Sequence, residues 1–457
     1  MVRKNAWLKL DEAETKNVFD YNDDYKKFLD IARTERLANQ EIIKRAKENG
    51  FKDLEEVIKS EGKLEKGGKY FVNHKNKSVA LIVYGSKPLS EGLQIVGAHI
   101  DSPRLDLKPN PLYENSGLVK LKTHYYGGVK KYQYTTIPLA IHGVVYNKDG
   151  KKIEIAIGDD INDPVFTVTD LLIHLSRDQQ SKPMREAITG EQLNVLFGSI
   201  PLKDKEKDAV KENILKLIKE KYNFEEEDFQ IAELEVVPAC KSRDLGLDRS
   251  MVIAYGQDDR VCAYATMRAI FDVENPEKTA LGLFMDKEEI GSMGNTGMAS
   301  YFWENLVHEL VNLEGNYSAL DVNRTLKNSK VLSADVTVGY DPDFADAVEA
   351  QNTAYLGCGI VVSKYSGSGG KGGSSDANAE FLQEVRKCFD DNDVTWQTGE
   401  LGAVDKGGGG TIALLLAKYG AEVVDCGPAV LCMHAPMEVT SKADTYMCYK
   451  AYKAFMA

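Results

Sequence analysis

The segment Met285–Gly297, MDKEEIGSMGNTG, carries two adjacent carboxylates shortly after an apolar run, Leu281–Phe284. That run is short enough to be a buried strand. Glu288 and Glu289 are neighbours, so their side chains cannot share one direction in a strand or one face of a helix. At the end of a strand, one carboxylate could therefore bind a metal while the other reaches a water molecule. The alternative is a solvated acidic turn, which is the ordinary setting of such a pair.

Other residues of metal-ligand type also follow apolar runs. Ligands of open α/β sheets bind beyond the carboxyl ends of the strands, so these residues can converge although they are far apart in sequence. Two histidines and three carboxylates, one of them bridging, suit a pair of divalent ions. The spacing does not force this convergence, and an aspartate at position 258 is equally typical of a helix N-cap. The candidates are His99, Asp258, Glu289, Asp335 and His434.

The first of these histidines has a second carboxylate close by in sequence. His99 and Asp101 are two residues apart, so they point the same way if the strand that contains Leu93–Val96 continues through them. Asp101 would then accept a hydrogen bond from the second ring nitrogen of His99 and fix its tautomer. The alternative is an ordinary hydrogen-bonded histidine.

Composition limits the function classes. The chain has 457 residues and a net charge of -13, which argues against a nucleic-acid partner. It contains no apolar stretch of about 20 residues, so no membrane span is predicted. The N-terminal residues lack the apolar core of a secretory signal. Seven scattered cysteines without a CxxC pair indicate a reducing cytoplasm rather than a disulfide framework.

A chain of this length requires more than one core. Apolar clusters at helical spacing predict a helix over 23–49. Between 106 and 245 the pattern changes to short β-like runs, including Tyr132–Ile137, with a hairpin turn at NKDG, 147–150, and one amphipathic helix at about 204–222. An α/β pattern resumes afterwards. We therefore predict an α/β protein with parts 1–105 and 246–457 interrupted by an inserted domain, 106–245.

Two glycine-rich loops, Ser366–Ser375 and Lys406–Gly410, suggest a competing function. The loop Ser366–Ser375 could cradle a phosphate through main-chain N–H groups. The spacing GxxxxGK[ST] is not met, however, because Lys371 is followed by Gly372. We therefore do not favour nucleotide binding.

Six segments together resemble the aspartyl aminopeptidase family of dinuclear zinc aminopeptidases. They occur in the family's order and span nearly the whole chain. The segments are GAHIDSPRLDLKP, GQDDRVCA, MDKEEIGSMGNTG, LSADVTVGYDP, KGGSSDANAEF and MHAPMEV. The resemblance implies a mixed-sheet α/β catalytic domain interrupted by a largely β dimerisation domain, and a tetrahedral particle of twelve subunits.

The resemblance also implies roles for individual residues. One metal would be bound by His99, Asp258 and Asp335, and the other by Asp258, Glu289 and His434. Glu288 would be the general base, and Asp101 would orient His99. In the segment LLIHL, His174 would reach the active site of a neighbouring subunit; its alternative is a core or interface histidine.

The expected function is that of a cytoplasmic metalloaminopeptidase that removes one N-terminal residue from peptides. Zinc is the expected metal, with cobalt or manganese as alternatives. The family name implies a preference for acidic N-terminal residues, for which Lys371 is the candidate cation; its alternative is a solvated lysine. Two other functions stay open: a non-catalytic scaffold, and a dinuclear metal deacylase acting on another amide.

Overall fold

The computed structural model describes residues 4–457, which fold into two compact units. The first unit comprises the described residues up to Asp101, Ser242–Met433 and Glu438–Ala457. The second comprises Ser102–Lys241 and His434–Met437. The expected boundaries at 105/106 and 245/246 thus lie four residues from the observed ones. Residues 1–3, included in the first expected part, lie outside the described residues.

A mixed sheet of nine strands forms the centre of the first unit. Three neighbouring strands in its middle, Ala280–Met285, Gln94–His99 and Lys330–Ser333, run parallel, while the pairing of Ala280–Met285 with Ser78–Val83 is antiparallel. The spatial order of the strands is Lys52–Asp53, Lys69–His74, Ser78–Val83, Ala280–Met285, Gln94–His99, Lys330–Ser333, Glu422–Gly427, Ile360–Ser363 and Trp396–Thr398.

Both faces of this sheet are buried at its central strands, as the uninterrupted apolar runs predict. Every residue of Ser78–Val83 is buried. Because successive side chains point to opposite faces, Val79 and Leu81 join one apolar cluster while Ala80 and Ile82 join another. Helices supply the rest of the two clusters. The helices of this unit are Glu12–Ile31, Glu35–Glu48, Leu54–Lys59, Gln257–Phe271, Phe302–Glu314, Ala319–Asn328, Ala379–Asp391, Ala413–Ala417 and Lys442–Met456.

The single helix predicted over 23–49 is wrong. The structure has two helices, Glu12–Ile31 and Glu35–Glu48, separated by three residues. Thr34 adopts an extended conformation and caps the second helix, its hydroxyl accepting a hydrogen bond from the N–H of Leu37 at 3.4 Å. The apolar spacing continues through this break because both helices pack on the same core, so the pattern hides the boundary.

Smaller sheets complete the first unit. A two-stranded ladder, Gly367–Ser368 with Gly408–Gly409, joins the two glycine-rich loops. A five-stranded sheet has the order Arg243–Leu245, Met251–Ala254, Glu438–Ser441, Ala429–Leu431 and Thr337–Val338.

The second unit is built on a seven-stranded antiparallel sheet with its own apolar core. A hairpin has its turn at Asn147–Gly150, as predicted. The helix predicted at about 204–222 is present and spans Ala209–Tyr222. The β-like run Tyr132–Ile137 instead begins in a 3-10 turn, Lys131–Tyr134. The strand order is Lys152–Ile157, Leu139–Tyr146, Glu233–Pro238, Arg104–Asn115, Leu118–Tyr126, Val195–Gly198 and Thr167–Val168, and the remaining helices are Arg177–Gln180 and Met184–Ala187.

The described residues thus form a mixed α/β fold with a largely β insertion. Within residues 4–457, we find no helix with the length and apolar character needed to cross a bilayer.

Candidate metal centre

Three parallel strands of the first unit deliver candidate ligands to one edge of the sheet. His99 is the last residue of its strand and pairs in register with Met285. Glu288 and Glu289 follow that neighbouring strand in a short 3-10 turn. Asp335 lies two residues beyond the strand Lys330–Ser333. The common direction of these strands explains why residues so far apart in sequence end at the same place.

Asp258 reaches the same centre from the start of the helix Gln257–Phe271, where its main chain is not helical. The Nε2 atom of His99 lies 3.2 Å from Oδ1 of Asp258. The same nitrogen lies 3.9 Å from Oε2 of Glu288 and 3.9 Å from Oδ1 of Asp335. The sequence-predicted ligands of the first unit are therefore brought together.

The donor atoms have the chemistry of a divalent-metal site. One donor atom each from His99, Asp258 and Glu289 lie within 4.8 Å of one another. A second set of the same compactness comprises His99, Asp259 and Asp335. Imidazole nitrogen together with carboxylate oxygen is a donor set that suits zinc. The residues present thus fit a divalent cation.

Asp101 contacts both the histidine and the turn that carries the glutamate pair. Its Oδ1 lies 3.3 Å from Nδ1 of His99, and its carbonyl oxygen lies 3.1 Å from the same nitrogen. The main-chain N–H groups of Glu288 and Glu289 donate to its two carboxylate oxygens at 3.1 and 3.2 Å. One buried carboxylate therefore links the orientation of the imidazole to the position of both glutamates.

The electrostatics of the centre indicate an excess of negative charge. Burial opposes protonation of His99, but hydrogen bonds with Asp101 and Asp258 and the charge of Glu288 raise its pKa well above the ordinary value. Burial, and then the charge of Asp259, raise the pKa of Asp335 well above that of a free aspartate. A bound divalent cation would offset this crowding of carboxylates.

His434 is placed differently from the expectation. The sequence predicts it in the second catalytic part, 246–457, whereas the structure groups His434–Met437 with the β unit. Nδ1 of His434 lies 2.9 Å from the carbonyl oxygen of Gly128, which belongs to the same unit. That carbonyl can only accept, so Nδ1 carries the proton and the lone pair lies on Nε2. This tautomer would allow Nε2 to act as a metal ligand.

His174 is not a core residue in this chain. It lies in an exposed 3-10 turn, Ile173–Leu175, of the β unit. Its apolar neighbours are exposed as well, Ile173 by 68% and Leu175 by 67%. Apolar side chains exposed in a contiguous run are typical of a surface that another protein covers. The core alternative is therefore wrong for the single chain.

Lys371 lies in the first glycine-rich loop with a positive φ of 64°. Its Nζ is 3.1 Å from Oδ2 of Asp376 and 3.8 Å from the centre of the Tyr365 ring. The Tyr365 hydroxyl donates to Glu400 at 2.7 Å. The ammonium group is thus exposed to solvent while it contacts Asp376 and the ring of Tyr365.

Sequence reasoning missed two residues of this centre. The main-chain N–H of His99 donates to Oδ2 of Asp259 at 3.3 Å. The N–H of Asp258 donates to Oε2 of Glu438 at 3.0 Å. Both residues stand in quoted motifs, GQDDR and MHAPMEV, but a single sequence gives no signal that they contact the ligands.

The fold and the donor set are those of a metal-binding α/β protein. The chain belongs to the M18 family: the family model described as aminopeptidase I zinc metalloprotease matches residues 28–456. It is a zinc metalloaminopeptidase of that family, so the resemblance predicted from the motifs is confirmed.

Several known proteins are similar to the chain over nearly its full length. A probable M18 family aminopeptidase 1 of Clostridium acetobutylicum is 51% identical, covering 99% of this chain and 98% of that protein. A crystal structure of an M18 aminopeptidase from Thermotoga maritima is 43% identical and has a TM-score of 0.95, covering 100% of this chain and 99% of that one. The dodecamer structure of yeast mApe1 is 21% identical with a TM-score of 0.76, covering 95% of each chain. These similarities confirm the mixed α/β fold.

Proposed function

We propose that this zinc aminopeptidase removes single N-terminal residues, preferably aspartate or glutamate, from cytoplasmic peptides. The observation that supports the proposal best is that Asp258, Glu289 and Asp335 each offer a carboxylate oxygen near a ring nitrogen of His99, with Glu288 beside them. One ion would be held by His99, Asp258 and Asp335. A second would be held by Asp258, Glu289 and His434.

In this proposal each protein residue has a separate role in amide hydrolysis. Two zinc ions would supply Lewis-acid chemistry, lowering the pKa of water and polarising the scissile carbonyl. Glu288 accepts the proton of the attacking water and passes it to the leaving nitrogen. Asp101 holds the ring of His99 and the main chain of Glu288 in place. His174 donates a hydrogen bond to the oxyanion that develops on the carbonyl.

We further propose self-association through the β unit, to dimers and then to a tetrahedral dodecamer. The exposed apolar run around His174 supports this proposal, as does the dodecamer formed by the yeast relative. Assembly would cover the apolar side chains and bring His174 to the centre of a neighbouring subunit. Such an assembly would make activity depend on oligomerisation.

A free-amine requirement separates an aminopeptidase from a deacylase. We expect the purified protein to cleave an unblocked peptide and to leave its N-acetylated form intact. Chelation should abolish cleavage, and added zinc should restore it. Cleavage of both forms at equal rates would favour a deacylase, and cleavage that a chelator leaves unchanged would rule out the metal mechanism.

Lys371 is the candidate for recognising an acidic side chain. Because the chain is acidic overall, attraction of an acidic substrate requires a local cation, and flanking glycines allow close approach to this one. We expect Lys371→Ala to lower the ratio of kcat/KM for Asp over Leu substrates by about 10- to 100-fold, the cost of one hydrogen bond to a charged group. Steady-state kinetics with matched Asp and Leu peptides measures that ratio.

Lys406, in the other glycine-rich loop, provides the matched control. Its Nζ donates to the carbonyl oxygen of Asp346 at 2.6 Å. Lys406→Ala should leave the Asp/Leu ratio unchanged. An unchanged ratio in Lys371→Ala would exclude the lysine, whereas equal turnover of both peptides by the wild type would exclude the acidic preference itself.

A further inference from the structure

Glu438 is a buried carboxylate to which the proposed mechanism gives no role. It is 1% exposed and begins the strand Glu438–Ser441. This strand pairs antiparallel with Met251–Ala254, so that Glu438 stands opposite Ala254. Its Oε2 accepts the hydrogen bond from the main-chain N–H of Asp258 at 3.0 Å. A buried polar group is costly unless it is hydrogen-bonded, and this one accepts its hydrogen bond from the main chain of a proposed metal ligand.

The main chain of Asp258 lacks the support that a regular helix would give. Its φ and ψ are -78° and 107°, outside the helical region, although it stands in the first turn of Gln257–Phe271. The first N–H groups of a helix have no acceptor within the helix. Glu438 supplies an acceptor from another strand.

The preceding residue is held by the same strand. The Gln257 side-chain amide donates to the carbonyl oxygen of Glu438 at 2.7 Å and to that of Val252 at 3.2 Å. Its Oε1 accepts from the Thr440 hydroxyl at 2.6 Å. The side chain of Gln257 is thus attached to two paired strands, whereas Glu438 contacts the main chain of Asp258 itself.

We propose that Glu438 is a positioning residue that fixes the carboxylate of Asp258 for metal binding. This inference rests on the proposed role of Asp258 as the ligand shared by both ions. Oδ1 of Asp258 lies 3.2 Å from Nε2 of His99, so a small rotation of its main chain changes the separation of the donor atoms. Metal affinity depends on that separation, and residues that hold ligands commonly contribute 10- to 100-fold to it.

Zinc affinity, measured by competition with a chromogenic chelator, tests the proposal without relying on turnover. Glu438→Met removes the acceptor, and Glu438→Asp shortens the side chain so that its oxygen no longer reaches the N–H. We expect both variants to bind zinc about 10- to 100-fold more weakly. Glu438→Gln keeps an acceptor oxygen at the same distance and should restore most of the affinity.

Thr440→Val is the matched control. It removes a buried hydrogen bond from the same strand on the Gln257 side, so it should lower Tm while zinc affinity stays near wild type. Equal affinity losses in Thr440→Val and Glu438→Met would overturn the positioning role in favour of general destabilisation. Wild-type affinity in either Glu438→Met or Glu438→Asp would also overturn it.

Zinc binding by Asp258→Asn distinguishes an error in the role of Glu438 from an error in the proposed metal site. Loss of zinc in Asp258→Asn, with affinity retained in the Glu438 variants, would contradict only the role of Glu438. Retention of all zinc by Asp258→Asn would contradict the ligand assignment on which the inference rests.

Discussion

Replacing Glu288 with glutamine is expected to lower kcat by about 10²–10⁴-fold, the usual contribution of a positioned acid-base group. Metal content should stay close to that of the wild type. The amide has the shape of the carboxylate but cannot accept the proton of the attacking water. Because Asp101 holds the N–H of residue 288 rather than its side chain, the turn should keep its position in the variant. Steady-state kinetics and metal analysis of the same preparation measure both quantities.

The adjacent glutamate provides the control for that substitution. Glu289→Gln should lower the occupancy of one metal, because Glu289 offers a donor atom to the group with His99 and Asp258. The two variants differ by one position in the same turn, so general damage to the fold would affect them alike. Loss of metal in Glu288→Gln and retention in Glu289→Gln would reverse the two assigned roles.

Local sequence patterns predict the centre of the fold well because its strands are continuous apolar runs. The apolar runs before His99, Glu288 and Asp335 are buried strands, and their parallel pairing brings the residues that follow to one edge. The motif order then identifies the family. The sequence does not predict the break between Glu12–Ile31 and Glu35–Glu48, because the apolar spacing continues from one helix to the next.

Contacts that join distant segments could not be predicted from spacing. The sequence predicts that Asp101 orients His99. Nothing in its local sequence indicates that it also accepts hydrogen bonds from the N–H groups of two residues 187 and 188 positions away. Glu438 likewise accepts a hydrogen bond from the N–H of Asp258, which lies 180 positions away in sequence. Such contacts depend on strand register, which a single sequence does not specify.

His174 illustrates a second limit, since its local sequence supports opposite interpretations. An apolar LLIHL segment is typical of a core, yet the segment is exposed in the isolated chain. Exposure removes the core interpretation and favours an interface. Its catalytic role remains a prediction, because the residues of one chain do not specify which surface of a neighbouring subunit lies against it.

Replacing His174 with alanine is expected to lower kcat by about 10²–10³-fold, the loss usually seen when one oxyanion donor is removed. The variant should still assemble and bind metal, because the side chain lies in an exposed turn outside the metal-ligand groups. Kinetics, metal analysis and particle mass measured on one preparation test all three expectations. Failure to assemble would instead make His174 a structural interface residue.

Mixed particles distinguish action across the interface from action within one subunit. In oligomers assembled jointly from Glu288→Gln and His174→Ala subunits, some interfaces pair an intact base in one subunit with an intact histidine from its neighbour. Activity should therefore reappear in particles made from two inactive variants. Particles of either variant alone, unfolded and reassembled in the same way, are the control. If an active site instead needs both residues from the same chain, no mixed particle contains a complete site, because every chain lacks one of the two. Mixed particles that stay inactive would therefore show that His174 does not serve a neighbouring subunit.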